Sequence, residues 1–407
     1  MSITCGIDWA EGHHDVALVD AGGTTLARLR IDTGLPGFTA LMSLIAENTD
    51  DPTTVTVAIE TDKNLVVAAL QAAGLTIYAI NPRAVARYRE RSAQAGGKSD
   101  PGDAIVLANI LRTDLHLHRT LPRISEGGLA VKALARQHQE AIWARQLTVN
   151  RLRSVLLEFY PNALKAFPVL THKAALEVLG SAPSPGHGQK LTHKRVVSLL
   201  RRSGRGDRPG LAEGIVNHLH EPALRQPPSV EAALSSAVVG LIKVVQTMEA
   251  SIANLETAMA TEFDQHPAAE LLRGAPGLGA ILAARVLGEV GDDTTRFSTA
   301  GGLRSFAGTA PITRASGRSK SVRTRHVKNK RLADACHWWA FAAITKSPGA
   351  RAHYDRRRAA GDSHNAALRN LANKLLGRLW WCLANDRAWD DDAAWPALAK
   401  ATGQAAT

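Results

Sequence analysis

Ile3-Thr4-Cys5-Gly6-Ile7-Asp8, His14-Asp15-Val16-Ala17-Leu18-Val19-Asp20 and Thr24-Thr25-Leu26-Ala27-Arg28-Leu29-Arg30-Ile31-Asp32-Thr33 follow one another with only Glu11-Gly12 and Ala21-Gly22-Gly23 as turn-like breaks. Their alternation predicts three short strands in an antiparallel meander. A helical stretch over residues 37–48, a β-branched run over 53–60, a helix over 64–73, a strand over 76–81 and a further helix complete the pattern. Doubly wound folds alternate strand and helix from the start, so three leading strands discriminate against them.

Strand, strand, strand, helix, strand, helix, strand, helix is the order of a ribonuclease-H-like, or RuvC-like, fold. An α/β domain over residues 1–120 is therefore expected, followed by a mainly α remainder. Residues 125–160 are helix-forming until Pro161. Residues 181–228, rich in Pro, Gly, Ser, Arg and His, read as an insertion of exposed loops with one helical piece near 196–202. Leu234, Val238, Leu241, Val245, Met248, Ile252, Leu255 and Met259 then repeat at alternating spacings of four and three. That a/d seam predicts a coiled coil, the alternative being one long helix packed on residues 125–160 of its own chain. The middle region thus spans 121–268. A last helical domain over 269–390 opens on Pro276-Gly277-Leu278-Gly279, which suggests a helix-hairpin-helix with Gly277 and Gly279 approaching a phosphate, or a plain helical hairpin. Trp338-Trp339 and Trp380-Trp381 sit in helical apolar patterns and read as core, and residues 391–407 as a tail, Ala-rich and frayed after Trp395.

The 407 residues carry 49 Lys and Arg against 37 Asp and Glu, a formal charge of +12 that calls for an anionic partner. Three cysteines with no C-x-x-C spacing exclude a disulfide framework and a cysteine zinc site. Neither a leader pattern nor a long unbroken apolar run is evident, so a soluble cytoplasmic protein is expected, with nucleic acid rather than membrane as its partner. His13-His14 has no third ligand at a useful spacing and reads as surface. The charge is also uneven. The first sixty residues hold nine acids and two strong bases, Arg28 and Arg30, whereas Arg314, Arg318, Lys320, Arg323, Arg325, Lys328, Lys330 and Arg331 form a run without an acid. A phosphate-binding surface at one end and a metal-holding domain at the other would show this asymmetry.

Asp8 ends the first strand and Glu60 the fourth, and in this fold those strands are neighbours at the sheet centre. Asp100 and Asp103 begin the last helix of the domain and, at i and i+3, can face one side. Four carboxylates converging on one point repel unless a hard divalent cation joins them, and such sites serve phosphodiester chemistry.

Gly6-Ile7-Asp8-Trp9-Ala10, Ile59-Glu60-Thr61, Asn81-Pro82 and Lys98-Ser99-Asp100-Pro101-Gly102-Asp103-Ala104 resemble the DEDD, RuvC-like domain of the transposases of the insertion sequence 110 family. Pro276-Gly277-Leu278-Gly279, Gly288-Glu289-Val290-Gly291-Asp292, Phe306-Ala307-Gly308-Thr309-Ala310-Pro311 and Ser316-Gly317 are similar to its second domain. The resemblance covers roughly residues 3–120 and 270–385 and has no counterpart for 181–228. It implies a prokaryotic, nucleoid-associated recombinase that cuts and rejoins DNA under the direction of a structured RNA. It further implies Mg²⁺, with Mn²⁺ as a substitute, at Asp8, Glu60, Asp100 and Asp103, and Ser316 as nucleophile beside Gly317, Arg314, Arg318, Lys320 and Arg323.

Two other readings stand beside this one. A junction-resolving nuclease that activates water with the four acids would make Ser316 dispensable. A non-catalytic nucleic-acid-binding protein would have lost metal-dependent activity altogether. Two DNA partners need at least two cutting subunits, so a homo-oligomer, dimer or tetramer, is expected through the seam.

Overall fold

The computed structural model describes residues 2–92, 100–206 and 209–396. The chain divides into two compact units at Arg123 and Ile124. The first is mixed α/β: β1 (Thr4–Trp9), β2 (His13–Val19), β3 (Thr25–Asp32), α1 (Leu35–Asn48), β4 (Thr56–Ile59), α2 (Leu65–Ala72), β5 (Thr76–Ala79), α3 (Pro82–Ser92) and α4 (Asp100–Asp114). Its five strands run in the order β3-β2-β1-β4-β5. β1 is antiparallel to β2 and parallel to β4, with Ile7 opposite Ile59. Helix α3 was not foreseen from sequence.

Period-two alternation builds two cores on this sheet. Cys5, Ile7, Val16, Leu18, Val57 and Ile59 pack with Leu41 and Ile45 of α1 and Val67 and Leu70 of α2. On the other face Ala58, Tyr78 and Ile80 meet Val85 of α3 and Leu107, Ile110 and Leu111 of α4. Gly6 faces this second side, where a Cβ would lie 1.9 Å from the Ala104 carbonyl oxygen and 2.6 Å from the Ala108 nitrogen. Only glycine lets α4 cross β1 so closely. The edge strand β3 turns Arg28, Arg30 and Asp32 outward, and Arg30 clamps Asp15 on β2 through two hydrogen bonds of 3.1 and 2.8 Å.

The second unit is mostly helical. It comprises α5 (Glu126–Phe159), α6 (Pro161–Ala166), α7 (Lys173–Ser181), α8 (Pro185–Gly188), α9 (His193–Arg202), α10 (Leu211–His220), α11 (Pro228–Asp264), α12 (Ala269–Arg273), α13 (Ala280–Val290) and α14 (Ala300–Ala307). A hairpin of β6 (Ile312–Ser316) and β7 (Ser319–Arg323) follows, then α15 (Lys330–Ala343), α16 (Pro348–Ala359), α17 (His364–Asn385) and α18 (Asp391–Ala394). All three cysteines are free and buried, and burial pushes the thiols of Cys5 and Cys336 up to about 12.

The heptad seam is used inside the chain. Val238, Val245, Ile252 and Met259 are buried, and α11 lies antiparallel to α5. His138 meets Glu256 at 3.2 Å and Arg145 donates to Glu249 at 3.1 Å, so rising numbers on one helix meet falling numbers on the other. The expected seam between subunits is corrected accordingly: its apolar stripe is already covered. By length and composition α11 could also cross a membrane, contrary to the expectation that no stretch qualifies, yet its apolar stripe serves two cores of this unit. Residues 181–228 likewise differ from the loop-rich expectation. Val196, Leu199, Leu200, Ala212, Ile215 and Leu219 pack on Leu152, Leu156, Val238 and Val245 in a core of their own. Pro and Gly punctuate short helices there, which a composition-based reading mistakes for loops. At the other end of the α5–α11 pair, Val131, Met259 and Phe263 join α13, α15 and α17 around Trp339.

Candidate nucleic-acid processing site

Asp8 and Glu60 each follow the paired residues Ile7 and Ile59 by one position, so they stand side by side where β1 and β4 end. Neighbouring strands are separated by about 4.8 Å. Their parity matches that of Gly6 and Ala58, which places both acids on the face crossed by α4. Asp103, in the first turn of α4, is 5 % exposed. Arg89 of α3 donates to its Oδ1 from Nε at 2.8 Å and from Nη2 at 2.7 Å. Arg89 was missed in the sequence, where α3 itself was not recognised. The side chain of Asp100 lies outside the described residues, although its backbone begins α4. Among the described residues no three His, Cys, Asp or Glu side chains are gathered so as to hold a metal ion. The carboxylates of Asp8, Glu60 and Asp103 are oxygen donors of the kind a hard cation takes, and Asp103 already accepts from a guanidinium.

In the second unit Ser316 is exposed at the end of β6, opposite Ser319, and Gly317-Arg318 is the two-residue turn between them. Gly317 has φ 53°, the left-handed value that the first central position of such a turn requires. Arg314, Arg318, Lys320 and Arg323 are all exposed on this ribbon. Ile312-Thr313-Arg314-Ala315-Ser316 followed by the turn-forming Gly317-Arg318 is the sequence signal of this hairpin, and the dense charge around it obscures the strand pattern. No hydrogen bond to the Ser316 hydroxyl occurs among the described residues, and none brings a general base to it.

The rest of the basic run has other duties. Arg331 is ion-paired with Glu140 and lies 5.7 Å over the Trp143 ring, so it joins α15 to α5. Lys328 and Lys330 line a cavity of about 310 Å³ with Asp334, His337, Asn365 and Arg369, which gathers cations from two sequence regions around one acid. Arg325 is partly buried. The expected role of Gly277 is corrected. With φ 83°, its Cα packs on Ala342 and Ala343, where a Cβ would come within 2.7 Å of backbone, while the Trp339 indole donates to the Pro276 carbonyl at 2.9 Å. That turn secures helix packing. Of the two glycines of that turn, Gly279 has open space around it. Trp339 is core, as expected, whereas Trp338 and Trp381 are exposed, Trp381 under the Arg378 guanidinium at 4.3 Å.

Glu289 is 4 % exposed and accepts from Arg136 at 2.8 and 3.0 Å and from Asn329 at 2.6 Å. Burial alone would raise its pKa, but Arg136 and Asn329 hold it below the usual carboxylate value. Asn329 also caps α15, so this knot ties α5, α13 and the start of α15 immediately after the hairpin. Asp292 accepts from the Ser125 hydroxyl and stands 3.1 Å from His266. Because both partners meet the carboxylate, the three form an anchor for the start of α5 and not a relay from serine to histidine.

A sheet whose central strand ends carry two carboxylates and a separate exposed basic ribbon define a protein that works on nucleic acid. Sequence comparison gives the class its family. A family profile described as a transposase, of the IS110 DEDD type, matches residues 5–161. A second, described as transposase of the IS116/IS110/IS902 family, matches residues 269–355. The chain is 46 % identical to the mini-circle putative transposase for IS117 of Streptomyces coelicolor over 98 % of both chains. It is 32 % identical to an uncharacterized 43.6 kDa protein of insertion element IS110 from the same organism over 70 % of each chain. It is 27 % identical to an uncharacterized 42 kDa protein of insertion element IS900 of Mycobacterium paratuberculosis over 93 % of this chain and 94 % of that one. The chain belongs to the IS110 family of transposases.

Proposed function

We propose that this transposase cuts and rejoins DNA with Ser316 as nucleophile, and that Asp8 and Glu60, with the start of α4, hold Mg²⁺ or Mn²⁺ in a ribonuclease-H-like domain. The observation that carries the proposal is the side-by-side ending of β1 and β4 on the α4 face, made possible by Gly6. The cation, when bound, would stabilise charge on phosphodiester oxygens. Asp8 and Glu60 would offer it oxygen donors, and Asp103, whose Oδ1 accepts from Arg89, would add its other oxygen. In the second unit, Gly317 leaves room beside the Ser316 hydroxyl, and Arg314, Arg318 and Lys320 offer positive charge to a phosphate. A serine hydroxyl is a weak nucleophile at neutral pH, so its proton acceptor must arrive with the bound substrate. Guidance by a structured RNA belongs to the same reading, supported by the +12 charge, and assembly as a homo-oligomer belongs to it because two DNA partners need at least two cutting subunits.

The test is direct. Asp8→Asn should abolish strand transfer while the chain stays folded. Trapped wild-type reactions, digested and analysed by mass spectrometry, should show a nucleotide adduct on the Ser316 peptide. Normal cleavage by Ser316→Ala would assign the chemistry to activated water and favour the resolving-nuclease reading.

A further inference from the structure

Trp9 and His14 stand opposite each other in the β1–β2 register, on the sheet face turned toward α1 and α2, the reverse of the Asp8 face. With Leu35 and Phe38 of α1 and Asn64 and Leu65 at the start of α2 they line a cavity of about 380 Å³, within the range of small-molecule sites. Its walls are apolar and aromatic. Trp9 is 45 % exposed, whereas His14 is 1 % exposed, which corrects the surface placement expected for it. Neither ring nitrogen of His14 finds a hydrogen-bond partner among the described residues, and neither does the side-chain nitrogen of Asn64. The Asn64 oxygen is already spent on the Val67 nitrogen at 2.8 Å, capping α2, so the amide donors are what remain.

Buried polar groups are nearly always bonded. Two such groups among the residues lining one aromatic cavity point to a partner from outside the fold, which must reach nitrogens that the free chain keeps closed to solvent. That partner must be flat, largely apolar on its faces, and edged with both acceptors and donors. Burial, the larger effect, lowers the His14 pKa, and the peptide groups of His13 and Ala10 oppose it from nearby without reaching hydrogen-bond geometry, so the ring offers one donor and one acceptor at neutral pH. The exposed charges neighbouring the lining residues in sequence are the acids Glu11, Asp32 and Asp62 and the cation Lys63, while the lining itself carries no acid, Lys or Arg, which suits an uncharged ring. Trp9 directly follows Asp8, and Asn64 lies four residues beyond Glu60. Whatever sits in the cavity is therefore close in the fold to the edge where the two carboxylates end.

We propose that this cavity takes one unpaired nucleobase, stacked on the Trp9 indole and hydrogen-bonded by His14 and Asn64, and so sets the register of a strand against the Asp8–Glu60 edge. The proposal rests on nucleic acid being the substrate, and not on Ser316 being the nucleophile. Aromatic stacking is tolerant of base identity and contributes on the order of tenfold or more in affinity per base.

The experiment titrates the full-length protein with DNA and RNA duplexes carrying one bulged 2-aminopurine, and with the same duplexes fully paired. Wild type should prefer the bulged form. Trp9→Leu should lose roughly tenfold of that preference with paired-duplex affinity unchanged, and Trp9→Phe should restore part of it. Preference in the DNA arm alone, or in the RNA arm alone, names the source of the base. Because a variant can misfold, the wild-type chain is also photocrosslinked to a duplex bulged with 5-iodouracil, and the adduct should map to the peptide containing Trp9. Equal weakening of both duplexes by Trp9→Leu, an adduct elsewhere, or a change of mass showing a second copy seated in the cavity would overturn the proposal. Wild type that binds paired duplex with no preference for the bulge overturns it too, whereas failure to bind any duplex or RNA removes the underlying nucleic-acid reading as well.

Discussion

Gly6 has no side chain because α4 lies on it, and this one residue links packing to the carboxylate edge. Gly6→Ala would set a methyl against the Ala104 carbonyl and the Ala108 nitrogen, and neither is a flexible side-chain end that can step aside. Overpacking of this kind costs about 1–3 kcal/mol and lifts the helix that carries Asp103. Thermal unfolding of Gly6→Ala should fall by several degrees and strand transfer should drop with it; an unchanged melting curve would mean that α4 does not rest on β1. Glu289 gives a second test at this scale. Its folded pKa is depressed from the ordinary 4.5, so its contribution is complete above that value and is lost as pH falls through the lower folded value. Stability measured by urea unfolding between pH 3 and 7 should therefore show a shallower acid limb in Glu289→Gln than in wild type. Arg136→Ala, which leaves the carboxylate buried without its guanidinium, should cost roughly 3–5 kcal/mol at neutral pH.

Whole elements explain what the sequence could and could not disclose. The three leading strands were legible because each alternates with period two and is bounded by glycine, and the Asp8 and Glu60 positions followed from the strand ends. Helix α3 was not legible, since Arg83, Arg87, Arg89 and Glu90 leave little apolar periodicity to read. The seam on α11 was legible as a periodicity but not as a partnership: heptad spacing says that a stripe will be covered, not by which chain. The neighbours Val244 and Val245 distinguish the outcomes. Val245 is fully buried and Val244 is 44 % exposed. Val245→Asp should destabilise the monomeric fold by about 3 kcal/mol or more, through an unpaired buried charge. Val244→Asp should fall within about 0.5 kcal/mol of wild type. If Val245→Asp instead halves the mass in light scattering with its melting temperature intact, the stripe joins two chains.

Charge is the property that only the whole molecule displays, and its division between an acid-rich first sixty residues and an acid-free run from Arg314 to Arg331 survives in the structure only in part. Arg331 is ion-paired with Glu140, and Lys328 and Lys330 line a cavity with Arg369, so the cations presented on the hairpin itself are Arg314, Arg318, Lys320 and Arg323. An isolated two-stranded ribbon is marginally stable in water, and this one turns nearly every side chain outward. A partner that neutralises its charges therefore also fixes its conformation. A two-stranded ribbon is also one of the shapes the DNA major groove admits. Each phosphate neutralised by a protein cation adds roughly 0.9 to the steepness of log affinity against log salt on duplex DNA. Replacing the four hairpin cations with Gln should thus reduce that slope by up to about 3.6, whereas replacing Arg331 should lower the melting temperature and leave the slope nearly unchanged. Duplex affinities measured from low to moderate salt separate the two effects, because fastening a helix and releasing counterions respond to salt differently. A slope that does not move when all four hairpin charges are removed would shift the phosphate-binding role to Lys328, Lys330 and Arg369, and with it the place where the DNA backbone meets the second unit.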